Sequence, residues 1–268
     1  MMTTTSQPSL LNSAALPLRS VQTIAGSALV VAPHPDDETL GCGGAIALLR
    51  ALGYPVHVLV VSDGTLSHPR SLKYPAPRLQ ALREAETLHA LSALGVDETN
   101  VTFLRLPDGS IPTSASPGMR GAVMNCRAYL ETRLPETIFL PWRFDPHPDH
   151  RATWHLIRTA LLYLNSENPL SKGGGRSHNS YPNGSPRVIE YPIWDWDPEQ
   201  QGDFSHMAHI VSWRLDIRAV LETKLTAIAA YKSQTTNLID DDPDGFQLTP
   251  EMLANFARPW EVYLEDVQ

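Results

Sequence analysis

The 268-residue chain has little cysteine, no block of basic residues and no long apolar run. Cys42 and Cys126 are its two cysteines, too few for a disulfide framework and not in the spacing of a thiolate metal site. A reducing, cytoplasmic setting fits them. No segment reaches the roughly 18 apolar residues that a membrane helix requires. The opening residues lack a basic start followed by an apolar stretch, so no secretory signal is expected. The formal charge is −8, from 29 acidic and 21 basic side chains. Without a Lys/Arg cluster, such a chain is poorly suited to nucleic acid or an anionic membrane. Hydrophobic content of 42% and charged content of 19% are ordinary for a globular protein. No internal repeat and no second domain can be read.

What is present is alternation. Ala28 to Ala32 is a short apolar run of the kind that forms a strand buried on both faces. Apolar residues then recur at helical spacing (Leu40, Ala45, Leu48, Leu49, Leu52) up to Gly53, a natural stop. Val56 to Val61 reads as the next strand and Leu79 to Leu94 as a helix. Val101 to Leu104, Thr137 to Leu140, Val188 to Trp194 and Ala208 to Trp213 read as further strands. Arg120 to Arg133 and His150 to Leu164 read as helices, and Asp216 as the N-cap of one running to about Tyr231. The pattern predicts an α/β fold, Rossmann-like and doubly wound, with a mainly parallel sheet and helices on both faces. Residues 1–22, rich in Ser, Thr and Pro, are expected to form a flexible tail. Residues 23–268 form one domain, interrupted by a flexible insertion at 165–186 that is rich in Gly, Ser and Asn.

Two polar clusters stand where this fold places its chemistry, beyond the carboxyl ends of strands. Pro33-His34-Pro35-Asp36-Asp37-Glu38 follows the first strand, and Asp145-Pro146-His147-Pro148-Asp149-His150 follows Thr137 to Leu140. Burying so many imidazoles and carboxylates is costly without a counter-charge, which a bound cation supplies. The donors suit zinc, and also iron, cobalt or nickel. Two His, one Asp and an open position would make such a site catalytic rather than structural. A nucleotide site is disfavoured, because Gly41-Cys42-Gly43-Gly44 lies inside the helix behind carboxylates that would repel a pyrophosphate. Ser233 has no nucleophile-elbow context. Trp194-Asp195-Trp196 could stack on a sugar ring or pack in the core.

The paired His-Pro-Asp motifs resemble the PIG-L/LmbE family of zinc-dependent de-N-acetylases. Further matches are Ser62-Asp63-Gly64, Arg83 with Glu86, Ala90 and Leu94-Gly95, Leu106-Pro107-Asp108-Gly109, and Lys224 with Tyr231-Lys232-Ser233-Gln234. The resemblance spans about residues 27 to 235 and implies one zinc ion per chain, held by His34, Asp37 and His150, with iron(II) possible on the same ligands. It implies Asp36 as general base, His147 as the group that steadies the oxyanion, and Asp149 as the residue that orients His147. Either Asp36 or His147 would protonate the departing amine. Arg83 and Asp108 match substrate-contacting positions. The implied reaction removes the acetyl group from the nitrogen of an amino-sugar-like small molecule, with a thiol-conjugate or other small N-acyl amidase as the alternative. The family often assembles into homo-oligomers.

Overall fold

The computed structural model describes residues 16–165, 181, 185–195 and 209–267. Among the described residues, eight strands form one sheet: β1 (Leu18–Arg19), β2 (Ala28–Ala32), β3 (Val56–Ser62), β4 (Val101–Leu106), β5 (Thr137–Pro141), β6 (Arg187–Tyr191), β7 (Ile210–Asp216) and β8 (Trp260–Asp266). The helices are α1 (Asp37–Ala51), α2 (Ala76–Ala93), α3 (Met119–Arg133), α4 (Pro148–Asn165), α5 (Leu221–Ile228), α6 (Lys232–Thr235) and α7 (Pro250–Phe256). Strand order across the sheet is β1-β7-β8-β6-β5-β2-β3-β4. All neighbours are parallel except β8, which runs antiparallel to both β6 and β7.

The apolar runs become central strands because both of their faces are covered. Ala28, Val30 and Ala32 face a core shared with Leu40, Ile46 and Leu49 of α1 and with Ala227 of α5. Leu29 and Val31 point the other way, into a core with Val123 and Cys126 of α3 and Leu156 and Ile157 of α4. Period-two alternation on a fully buried strand thus recruits helices to both sides. Val30 pairs with Val58 on one side and Phe139 on the other. From β2 the chain proceeds outward through β3 and β4, then returns to place β5 on the opposite flank. The switch point lies between β2 and β5, so the loops after these two strands diverge there and leave a crevice.

Helix α1 carries Gly41, Gly43 and Gly44 despite the cost of about 1 kcal/mol each that glycine brings to a helix interior. Close approach explains two of them. A Cβ at Gly41 would lie 2.2 Å from the Tyr191 ring, and one at Gly44 would lie 2.4 Å from Ile217.

Several expectations need correction. Residues 18–22 are ordered rather than part of a flexible tail: Leu18 and Arg19 pair with Arg214 and Leu215, and Val21 is buried, as is Ile24 just beyond. Asp216 ends β7 and caps no long helix; its carboxylate accepts from Arg218 N at 3.1 Å, and α5 starts only at Leu221. Strand β8 and helix α7 were not anticipated. The insertion at 165–186 and Trp196 fall almost wholly outside the described residues. Among the described residues, no helix is long and apolar enough to cross a membrane.

Candidate active site

The loop after β2 turns sharply into α1. Asp36 makes the turn with φ of 128°, a conformation that a residue with a side chain seldom adopts and that local contacts must enforce. Its carbonyl accepts from Thr39 N at 3.0 Å and Leu40 N at 2.9 Å, and its own N–H donates to Glu38 Oε2 at 3.2 Å. Arg83, reaching over from α2, donates to the Pro35 carbonyl at 2.6 Å, the Gly64 carbonyl at 2.8 Å and Asp36 Oδ2 at 3.1 Å. Asp37 starts α1, where the helix dipole favours a carboxylate. Its Oδ2 accepts from His34 N at 2.9 Å and lies 3.2 Å from His34 Nδ1.

The loop after β5 is organised around Asp145, which is fully buried. One oxygen accepts from His147 N at 2.9 Å. The other accepts from Ile193 N at 3.3 Å and Trp194 N at 3.2 Å, and lies 3.3 Å from His150 Nδ1. His150, on the first turn of α4, has no exposed surface. Its Nε2 lies 3.3 Å from Asp37 Oδ2. Both ring nitrogens therefore sit at ion-pair distance from carboxylates, yet neither makes a hydrogen bond of acceptable alignment. A buried imidazole with orphaned nitrogens beside a carboxylate is what a metal ligand looks like before the ion is considered.

The two loops meet. One ring nitrogen from each of His34, His147 and His150 lies within 4.8 Å of the others, and a second such group joins His34, Asp108 and Asp149. Asp37 lies 3.2 Å from His34 and 3.3 Å from His150, so the three expected ligands are neighbours, although the group of donor atoms mutually within 4.8 Å has His147 in place of Asp37. Imidazole and carboxylate donors in one cluster fit a divalent cation by their chemistry.

The electrostatics separate the groups. Burial pushes the Asp36 carboxyl up to about 8, against the opposing pull of Arg83. Burial also opposes the charged form of Asp37, but His150 and His34 outweigh it and hold that carboxyl far below its usual range. His147 is pushed down to about 4 by burial, then by His150 and His34.

One expected contact differs from the structure. Asp149 does not hold His147 through its carboxylate. That group accepts from Gly109 N at 2.7 Å and lies 3.2 Å from His34 Nε2, whereas the Asp149 backbone N–H donates to His147 Nδ1 at 3.2 Å. Proline at 148 and the start of α4 place this N–H where it meets the preceding ring. Arg83 lines the cavity as expected of a substrate-contacting position and, only 3% exposed, also donates to two carbonyls and Asp36, which braces the floor of the site. Asp108 does line the cavity, with Oδ2 accepting from Leu66 N at 2.8 Å and Oδ1 lying 3.3 Å from His34 Nε2.

Other residues went unread. Asp145 had no assigned role, although a carboxylate two residues before a candidate ligand was a usable signal. The floor opens into a cavity of about 700 Å³ whose walls include Trp194, Phe246, Leu248, Met252 and Phe256. Apart from Trp194, these come from a segment with no motif of its own. Tyr231 donates to the buried Glu38, and Ser233 donates to Glu86 through N and Oγ at 2.8 and 2.5 Å, so the late Tyr-Lys-Ser-Gln segment buttresses the helices behind the site.

An open, mostly parallel α/β sheet with imidazoles and carboxylates gathered at its switch point defines an α/β protein with a site able to hold a metal ion. Residues 29–161 match the family model PIG-L, described as GlcNAc-PI de-N-acetylase, and the chain belongs to this family. It is similar to a probable N-acetyl-alpha-D-glucosaminyl L-malate deacetylase 2 from Bacillus subtilis, with 26% identity over 88% of this chain and 95% of that protein. It is also similar to the 4-oxalmesaconate hydratase of Pseudomonas putida, with 26% identity over 81% of this chain and 77% of the relative. Among solved structures, the N,N'-diacetylchitobiose deacetylase from Pyrococcus horikoshii superposes with a TM-score of 0.65 and 25% identity, covering 90% of this chain and 84% of that one.

Proposed function

We propose that this protein hydrolyses the amide of an N-acetylated amino sugar, releasing acetate and a free amine, with one zinc ion held by His34, Asp37 and His150. The observation that carries the reading is the position of Asp36. Its carboxyl group, held by Arg83, lines the same cavity as His34, Asp37 and His147. A zinc ion held by these residues would supply a water of pKa about 7 and a Lewis acid for the acetyl carbonyl.

The protein's own groups supply the rest. Asp36 would take the proton of the attacking water and return it to the departing nitrogen. Arg83 fixes the Asp36 carboxylate and keeps the strained turn in place. His147 accepts the Asp149 N–H at Nδ1, which leaves the proton on Nε2 for donation to the developing oxyanion. In this arrangement a neutral imidazole steadies the oxyanion. Asp145 and Asp37 hold His150 from opposite sides.

The hydratase among the relatives raises a second reading, addition of water to a carboxylate-bearing substrate. The cavity lining opposes it. Asp36, Asp37, Asp108 and Glu251 face that space with Arg83 as the cation among its lining residues, and Arg83 is already engaged.

The test is acetate release from a panel of N-acetylated amino sugars, with metal analysis alongside. Release abolished by a chelator and restored by zinc is the expected result. A larger acid in place of acetate would indicate a different N-acyl group. Bound metal with no acid from any compound would overturn the hydrolase reading.

A further inference from the structure

The cavity above the site is far more apolar than a bare sugar requires. Trp194 lies nearly parallel to the His147 ring, with centroids 6.1 Å apart and 24° between planes. Phe246 meets Trp194 edge-on at 5.6 Å. Leu248, Met252 and Phe256 extend the same lining. The apolar wall therefore starts beside the imidazole assigned to the oxyanion and continues away from the polar floor.

This wall is built into the fold. Phe246 N donates to the Ser67 carbonyl at 2.6 Å, and Leu248 N donates to the Gln234 carbonyl at 2.8 Å. Thr249 Oγ1 caps α7 by accepting from Met252 N at 3.3 Å, and Pro250 occupies the first helical position. Met252 and Phe256, four residues apart, lie on one face of the helix. Backbone hydrogen bonds thus fix the segment to the loop after β3 and to α6, which carry Ser67 and Gln234 of the cavity lining.

Size points the same way. An N-acetylhexosamine has about fifteen non-hydrogen atoms, none occupying more than the roughly 30 Å³ share of a liquid water molecule, so it fills at most about 450 Å³. The cavity holds about 700 Å³. One indole can stack on a pyranose face, but the remaining apolar side chains would then face hydroxyl groups and water.

We propose that the substrate is an amino-sugar derivative bearing an alkyl or aryl group remote from its acetamide, and that Trp194, Phe246, Leu248, Met252 and Phe256 receive that group. This rests on the deacetylase reading and narrows it to amphiphilic glycosides. Each methylene that enters such a wall is worth several-fold in specificity.

The experiment compares the hexyl and phenyl glycosides of N-acetylglucosamine with the methyl glycoside, using zinc-loaded protein. The expected kcat/KM for the hexyl compound exceeds that for the methyl compound by about 30-fold or more, mostly through KM. Met252→Asn and Phe246→Ala, both at half-buried positions, should reduce this ratio to within about 3-fold. Equal turnover of the hexyl and methyl glycosides would overturn the proposal and leave the deacetylase reading intact. Calorimetry with the deacetylated hexyl and methyl glycosides supplies a readout independent of turnover. Tighter binding of the hexyl compound, with a negative heat-capacity change, is expected. If no glycoside yields acetate, the deacetylase reading fails, and this calorimetric comparison alone decides the role of the wall.

Discussion

The Arg83 guanidinium and the Asp36 carboxylate meet 3.1 Å apart, both buried, and the same guanidinium nitrogen holds the Pro35 carbonyl at 2.6 Å. Arg83 thus grips the strained residue through its side chain and through the peptide that precedes it. Charge balance and backbone shape depend on one group.

Removing that group should be costly. Arg83→Gln leaves the buried Pro35 and Gly64 carbonyls without their charged donor, a loss of about 3–6 kcal/mol for the two bonds. At about 2–4 °C per kcal/mol for a domain of this size, Tm should fall by at least about 6 °C. Arg83→Lys should recover less than half of the loss, because an ammonium lacks the planar fork that reaches three acceptors. Thermal unfolding of both variants checks this; a Tm for Arg83→Gln within about 2 °C of wild type would show that the turn stands without it.

Asp36→Asn keeps the shape and an oxygen for Arg83 but cannot accept the proton. Turnover should fall about 10²- to 10⁴-fold while the metal content stays at one ion per chain. Steady-state kinetics paired with metal analysis would detect either departure. Undiminished turnover would remove Asp36 from the role of base.

Metal affinity should discriminate between the residues around His150. His150→Ala should retain no stoichiometric metal. Asp145→Asn, which keeps an acceptor for the Ile193 and Trp194 N–H groups but loses the charge beside His150 Nδ1, should weaken affinity by about 10- to 100-fold. Competition against a coloured chelator measures both. An unchanged Kd in Asp145→Asn would mean that this carboxylate serves the loop alone.

Much of this was legible in the sequence, and the limits have physical causes. Strands covered on both faces announce themselves as unbroken apolar runs, as Ala28–Ala32 does, and loop clusters are contiguous, so the ligand candidates stood side by side. Contacts that cross the fold left no such trace. The Asp149 carboxylate serves His34, 115 residues away, and the backbone of Asp149 is what touches His147. Strand β8 was missed because Glu261 interrupts its apolar pattern. That carboxylate is buried yet satisfied by Gly44 N at 2.6 Å, Ala45 N at 2.8 Å and Lys224 Nζ at 2.7 Å. The cavity wall was missed because its residues at 246, 248, 252 and 256 change from strand-like to helical spacing midway.

Glu86 offers a test by pH. Burial raises its carboxyl pKa above the ordinary 4.5, against the pull of the Ser233 hydrogen bonds. For an acid raised in the folded state, the stabilising contribution is complete below the unfolded pKa and is lost as pH rises through the folded value. Glu86→Gln stays neutral throughout. Its Tm deficit relative to wild type should therefore be larger near pH 4 than near pH 7. A deficit that grows with pH would reverse the sign assigned to this group.

The antiparallel strand β8 sits between β6 and β7, and through β7 it also carries β1. Of the described strands it comes latest in the chain, yet it occupies an interior position. Until residues 260–266 emerge from the ribosome, β1 and β7 have no edge to join, and the Glu261 carboxylate is not there to meet α1 and Lys224. The parallel half can assemble early, whereas sheet closure waits for this one late segment. A nascent chain halted shortly before Trp260 would therefore hold every candidate metal ligand and lack the strand that makes the sheet continuous.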